Sequence, residues 1–305
     1  INFHDHLYKV KHADNYIKAA KKVGISKTIL VASPEFTTKG KGHSKTEGFD
    51  KNFGNIMQVV KKWPDHFIPF SSVDPGSADA LAMLKRHRAA GAQGLKLYNG
   101  HSIFYVQEQG LVPDTLKPIL EFCQSEDMPI LWHVRFSRFL GEFEEKVLRV
   151  YPNLKIVVAH YGVAFWRPEG KNMKEIPRLL ETYPNLYFDT SLGTREILVD
   201  GLSMMGRHRD RFIELFKRFP GRFVMGSDMV ITGNKEKTSS WMEKVLWAVR
   251  DQLEKDRFTF DLASRWSKYA PKSGADSDGT MTGLGLPAEI LKQVYETTPK
   301  KLLKL

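Results

Sequence analysis

The chain has 305 residues, 42% hydrophobic and 11% aromatic, enough apolar material for a large core and too much for a disordered segment. Lys and Arg outnumber Asp and Glu by 46 to 35, a formal charge of +11. The single cysteine, Cys123, excludes an internal disulfide and a cysteine-based zinc cluster, and no run of 18 apolar residues marks a transmembrane helix.

The basic excess is concentrated in residues 1–62, which hold twelve Lys, no Arg and five acidic residues. Such a field could draw nucleic acid. The lysines are not interleaved with stacking aromatics, however, and no zinc-finger, RNP or helix-turn-helix pattern is present. A solvated lysine-rich face accounts for them. The chain starts at Ile1, without Met and inside the first predicted strand, so upstream residues are expected. No secretory leader is visible; a cytoplasmic location is expected, with a removed leader left open.

In chain order, eight short apolar runs predict strands: Asn2–Leu7, Thr28–Ser33, Phe67–Val73, Gly94–Tyr98, Pro129–Val134, Lys155–His160, Asn185–Thr190 and Arg222–Asp228. Several are continuously apolar, as in parallel strands covered on both faces. Helical patterns lie between most of them. One starts from Ser77 as a cap and runs through Ala80, Leu81 and Leu84 toward Gly91; another carries Phe212, Leu215, Phe216 and Phe219; a third carries Trp241, Val245, Val249 and Leu253. Four junctions share one grammar: Trp63-Pro64, Tyr151-Pro152, Tyr183-Pro184 and Phe219-Pro220 each close an amphipathic segment just before a β-rich run. Proline stops the helix because it lacks the N–H and clashes with the preceding turn.

Eight strands alternating with helices predict an α/β protein with a (β/α)₈ barrel fold, residues 1–305 forming one barrel domain. An open doubly wound sheet is the alternative, but no Gly-x-Gly-x-x-Gly follows the first strand. Two long insertions interrupt the pattern. Residues 34–55 should overhang the C-terminal mouth of the barrel; residues 261–287, with Ser273-Gly274-Ala275-Asp276-Ser277-Asp278-Gly279, read as a mobile loop.

The chemistry lies at the strand ends. In His4-Asp5-His6 the two imidazoles share one side of a strand, so both can reach one metal ion. Lys96 lies on strand 4, His133 near the end of strand 5, His160 at the end of strand 6, Asp189 on strand 7 and Asp228 at the end of strand 8. Ionisable side chains on buried strands are costly unless paired or metal-bound, and so many converging on one mouth do not read as packing.

The segments Phe3-His4-Asp5-His6-Leu7, Gly94-Leu95-Lys96-Leu97, Ile130-Leu131-Trp132-His133, Val158-Ala159-His160-Tyr161-Gly162, Leu186-Tyr187-Phe188-Asp189-Thr190-Ser191 and Phe223-Val224-Met225-Gly226-Ser227-Asp228 resemble the amidohydrolase superfamily. The nearer likeness is to its "amidohydrolase 2" branch, which includes aminocarboxymuconate-semialdehyde decarboxylase-like enzymes and metal-dependent hydrolases. The resemblance spans nearly the whole chain. Two places depart from it: Met229-Val230 stands where the branch commonly has an aromatic residue and Pro, and Tyr295-Glu296-Thr297-Thr298-Pro299 replaces the usual Asn.

The resemblance implies a TIM barrel with a metal site at the strand C-termini. It implies one divalent metal, Zn²⁺ before others, held by His4, His6, His133 and Asp228. Asp228 and His160 would be catalytic, His160 as an acid/base group outside the primary ligand set. In binuclear members a strand-4 lysine is carbamylated and bridges two ions, with His133 and His160 on the second; here Lys96 is read as a plain cation, binding a substrate carboxylate or Asp189. Arg135, two residues past His133, joins Lys96, His101 and Arg195 in a cationic pocket that suits a carboxylate; an ion pair of Arg135 with Glu142 or Glu144 is the other reading. The function expected is metal-dependent hydrolysis of an amide, ester or lactone of a small carboxylate-bearing substrate. A non-oxidative decarboxylase on the same site is the alternative, and a metal-free barrel with a decayed site stands behind both. The partner expected is a small-molecule substrate, with no specific nucleic acid and no membrane; a homo-oligomer is left open.

Overall fold

A computed structural model describes all residues except 107–108, 167–170, 194 and 263–278, and leaves the side chains of 164–166 and 171–172 undescribed as well. The parallel strands are β1 (Asn2–Leu7), β2 (Thr28–Val31), β3 (Phe67–Ser72), β4 (Gly94–Gly100), β5 (Ile130–Val134), β6 (Ile156–Val158), β7 (Leu186–Asp189), β8 (Phe223–Val224) and β9 (Met229–Ile231). They pair in the order β8-β7-β6-β5-β4-β3-β2-β1-β9. The two ends of this order are consecutive in the chain. β8 pairs with β7, β9 pairs with β1, and between them Phe3 N donates to Met225 O and Asp228 N to His4 O, both at 2.7 Å. The sheet thus closes on itself as a (β/α)₈ barrel. The eighth strand, expected unbroken to Asp228, is split because Asp228 leaves the extended region with φ +53°.

The aromatic-Pro junctions stop helices as expected. The helix Phe49–Lys62 ends at Trp63 (φ −136°) and the helix Arg209–Arg218 at Phe219 (φ −125°), each followed by proline. The helix expected to start from Ser77 begins at Ala80, with Asp79 as its N-cap residue. The Ser77 hydroxyl accepts from Asp79 N at 3.3 Å instead, shaping the turn before the helix. The helix Ser239–Glu254 is capped by Thr238, whose side chain accepts from Trp241 N. No helix among the described residues is long and apolar enough to cross a membrane.

Below the mouth the barrel is solid. Phe3, Ile29, Val31, Ile68, Phe70, Leu131, Val157, Ala159, Tyr187 and Val224 pack into one interior cluster, joined by Leu302 and Leu303 of the helix Thr298–Leu303. The alternate residues of the same strands, such as Leu30, Leu95, Ile130, Val158 and Phe188, pack outward against the helices. β1 breaks this alternation. Its register against β2 shifts between Asn2 and Asp5, a bulge that inserts one residue into the ladder. Phe3 and His4 therefore both face inward, while Asn2 and Asp5 share the outer face.

Of the expected insertion 34–55, the short helix Glu35–Lys39 places Phe36 and Thr37 on the cavity wall, while residues 49–55 belong to the helix Phe49–Lys62. Of 261–287, residues 263–278 lie outside the described residues, and the expectation of mobility falls on them. Its far edge, Thr280–Thr282, pairs antiparallel with Arg257–Thr259.

Candidate metal centre and active site

Three histidines at the mouth have one ring nitrogen already committed. His4 Nδ1 lies 2.7 Å from Asp189 Oδ2 and donates to it. His6 Nδ1 lies 2.8 Å from Ser33 Oγ, whose own hydrogen goes to Val31 O at 3.0 Å, so the serine oxygen accepts. His160 Nδ1 lies 3.0 Å from Ser191 O, which only accepts, and 2.8 Å from Ser191 Oγ, whose hydrogen is spent on Asp189. With Nδ1–H donating in each neutral ring, the lone pair sits on Nε2.

All three Nε2 atoms face one carboxylate. His6 Nε2 is 2.8 Å and His4 Nε2 3.3 Å from Asp228 Oδ1; His160 Nε2 is 3.7 Å from Asp228 Oδ2. His4, His160 and Asp228 each offer a ligand atom, all within 4.8 Å of one another. Lone pairs facing a carboxylate repel unless a cation lies among them; Lys96 Nζ approaches that of His4 at 3.0 Å, whereas a divalent ion would serve all three. Imidazole and carboxylate donors suit a divalent ion, and acceptors behind each Nδ1 are what orient histidine ligands. The donor set therefore fits a divalent metal.

The electrostatics agree. Burial, with Lys96 adding to it, pulls His4 down to about 4, and burial lowers His6 too, so both rings are neutral donors. Asp228 is held well below its ordinary value, against burial, only by positive charge on the rings around it; with those rings neutral, a cation among them would take that part. Burial would raise Asp189 as well; the hydrogen bond from His4 prevails and brings it to about 2. Lys96, 1% exposed, puts Nζ 3.0 Å from His4 Nε2, and burial lowers it to about 8.

Two of these residues reach the mouth through unusual backbone. β6 ends at Val158. Ala159 faces the interior, so an extended chain would turn His160 toward the helices. Instead residues 160–163 are left-handed, with φ of 56°, 51°, 68° and 53°. A left-handed residue other than glycine costs about 1–2 kcal/mol, and three of these four are not glycine. Asp189 Oδ1 holds the turn by accepting from His160 N at 2.7 Å. Asp228 is left-handed too. Strain of this kind gathers where a side chain must be aimed.

The residues enclose a cavity of about 480 Å³. Its floor is His4, His6, Lys96, His133, His160 and Asp228; Phe36, Ile103, Phe104, Val163, Leu192, Ile197 and Val230 supply apolar wall; Arg135 also lines it. The His133 ring is centred 4.9 Å from that of His160 and 4.3 Å from that of His101.

The model of the amidohydrolase family matches residues 37–305. The chain belongs to the amidohydrolase family. A comparison with curated proteins finds no match. Among solved structures, an uncharacterized TIM-barrel protein from Bordetella bronchiseptica is 14% identical, with TM-score 0.57 over 99% of this chain and 98% of that one. A zinc-bound amidohydrolase from Burkholderia multivorans is 12% identical, with TM-score 0.57 over 100% and 99%. The 4-oxalomesaconate hydratase LigJ from Rhodopseudomonas palustris is 16% identical, with TM-score 0.55 over 96% and 80%. At these identities the likeness is one of fold.

Within this amidohydrolase fold, the expected site residues His4, His6, Lys96, His101, His133, Arg135, His160 and Asp228 all line the one cavity. Four finer expectations change. Lys96 contacts His4 Nε2, not the Asp189 side chain, because Asp189 is already filled by His4, Ser191 and the His160 backbone. Arg195 leaves the cationic set: it pairs with Glu236 at 2.7 Å and does not line the cavity. His101 is no cation, since burial lowers it to about 4 and its Nδ1 accepts from Ile103 N at 3.0 Å, leaving Nε2–H as a donor. Arg135 follows the end of β5, at the N-cap of the helix Phe136–Phe143, with Nε 3.2 Å from Ser137 Oγ. Glu142 pairs with Lys146 and Glu144 with Arg178, so neither acid serves Arg135.

Sequence reasoning missed Ser33, Ser191 and Tyr98. Tyr98 OH lies 3.2 Å from His6 Nδ1 and donates to Ala32 O at 3.0 Å. Serine after a strand has no local signature for this task; only the neighbouring strand reveals it.

Proposed function

We propose that this protein is a divalent-metal-dependent hydrolase acting on an amide, ester or lactone of a small carboxylate-bearing substrate. The observation that carries the reading is the convergence of three Nε2 lone pairs, each fixed by an acceptor on Nδ1, upon the Asp228 carboxylate. His4, His6 and Asp228 would hold the ion together with His133, which the family likeness implies and which lines the same cavity; His160 Nε2, at 3.7 Å the farthest of the three from Asp228, would stay outside the set. When bound, a divalent ion supplies Lewis acidity and lowers the pKa of water. Zinc is the ion to test first, since the Burkholderia protein of this fold carries it.

The rest is the work of the chain's own side chains. Asp228, whose carboxylate faces the Nε2 atoms of His4, His6 and His160, accepts a proton from the attacking water. His160 Nε2, at 3.7 Å across the mouth, takes that proton over from Asp228 on its lone pair and passes it to the leaving group; such acid–base help is typically worth about 10²–10⁴ in rate. Arg135, with no carboxylate partner among the described residues, binds the substrate carboxylate, and the apolar wall excludes bulk water. Lys96 stays an unmodified cation, adding positive charge beside His4.

The test is metal content by mass spectrometry, with an activity screen over lactones, amides and esters that also follows CO₂. His4→Ala/His6→Ala should bind no metal and hydrolyse nothing. Full metal retention in that variant overturns the reading, and CO₂ release without hydrolysis replaces it with decarboxylation.

A further inference from the structure

The motif His4-Asp5-His6 holds one residue that the metal reading leaves unused. Asp5 is fully buried on the outer face of β1. Its Oδ1 accepts from Met229 N at 2.8 Å and from Ser227 Oγ; its Oδ2 accepts from Asn2 Nδ2 at 2.7 Å. Asn2 in turn accepts Ser227 N on Oδ1 at 3.1 Å and approaches Tyr16 OH at 2.9 Å, which meets Thr28 Oγ1 at 2.9 Å.

These bonds lie at the break in the barrel wall. Between β8 and β9 the chain leaves the ladder, and three successive backbone N–H groups need acceptors. Ser227 N takes Asn2 Oδ1, Asp228 N takes His4 O, and Met229 N takes Asp5 Oδ1. Both neighbours of Asp228 are thus tied to side chains of β1, and Asp228 between them is left-handed. The bulge in β1 makes this possible by turning Asn2 and Asp5 to the same face.

We propose that Asp5 is a positioning residue: by gripping Ser227 and Met229 it fixes the left-handed Asp228 and aims that carboxylate at His4, His6 and His160. The proposal rests on Asp228 being a metal ligand. A carboxylate suits the task because it accepts from three donors at once, whereas an asparagine offers one oxygen and would set its amide against the Asn2 amide.

The experiment uses the full chain and zinc alone as the probe, with affinity read by chelator competition and thermal unfolding read on metal-free protein. Asp5→Asn should lower zinc affinity about 10–100-fold, the range for residues that orient ligands. Thr28→Val removes a hydroxyl at the far end of the same network; it should lower the melting temperature but change zinc affinity by less than about threefold, within the scatter of a site left intact. The exchange Asn2→Asp/Asp5→Asn restores matched donors and acceptors and should recover zinc binding; it also serves if Asp5→Asn does not fold. Asp5→Asn with wild-type zinc affinity, or a folded exchange variant that binds no zinc, overturns the proposal. Asp228→Asn is the control: wild-type zinc affinity there removes the metal reading itself, and loss there with retention in Asp5→Asn removes only the role of Asp5.

Discussion

Asp189 and His4 are joined by a 2.7 Å hydrogen bond, Oδ2 to Nδ1, though 185 residues separate them. The bond decides which nitrogen of His4 faces the cavity. Asp189→Asn keeps the shape but can place an amide N–H where an acceptor stood. His4 then accepts on Nδ1, protonates Nε2 and ceases to be a ligand. Zinc affinity should fall about 10–100-fold with the fold intact. Chelator competition checks it; wild-type affinity would mean that Asp189 does not set the His4 tautomer.

His160→Asn should keep the metal and lose at least about 10²-fold in turnover, the lower range for a general acid–base group. Metal analysis beside steady-state kinetics gives the answer. Because His160 groups with His4 and Asp228 within 4.8 Å, loss of metal in this variant would make it a ligand. Two ions per chain in the wild type, falling toward one here, would identify Lys96 as carbamylated.

Arg135→Leu should raise KM about 10–100-fold for a carboxylate substrate and leave kcat nearly unchanged, because a substrate carboxylate is bound equally in the ground and transition states. An uncharged analogue should show no such difference. Equal effects on both substrates would remove Arg135 from recognition.

Away from the site, Glu144 accepts from Arg178 Nη1 and Nη2 at 2.9 and 2.8 Å and from Tyr183 OH at 2.8 Å. The Arg178 contact, foremost, holds its carboxyl down to about 2. A depressed acid contributes stability above its unfolded value near 4.5 and loses it as pH falls toward 2. Arg178 is half-exposed, so screening limits the contribution to about 1 kcal/mol. Urea unfolding should therefore separate wild type from Glu144→Gln at pH 6 and bring them together near pH 2. A gap independent of pH would show that packing, not charge, is at work.

The strands, the aromatic-Pro stops and the shared facing of His4 and His6 were legible in the sequence, because each depends on residues only a few positions apart. Period-two alternation also places Lys96, His133 and Asp189 inside, in line with Leu131 and Tyr187 of the interior cluster. The same rule fails where the backbone leaves the strand. It turns His160 outward, and only the left-handed turn at 160–163 brings it to the mouth. It cannot foresee the bulge that sets Phe3 and His4 on one face and leaves Asp5 free to hold Ser227 and Met229. Nor does any local pattern show that Arg195 is spent on Glu236, or that Ser33 and Ser191 stand behind His6 and His160. Facing is a property of the local chain, whereas a hydrogen-bond partner is chosen by what closure of the barrel brings alongside.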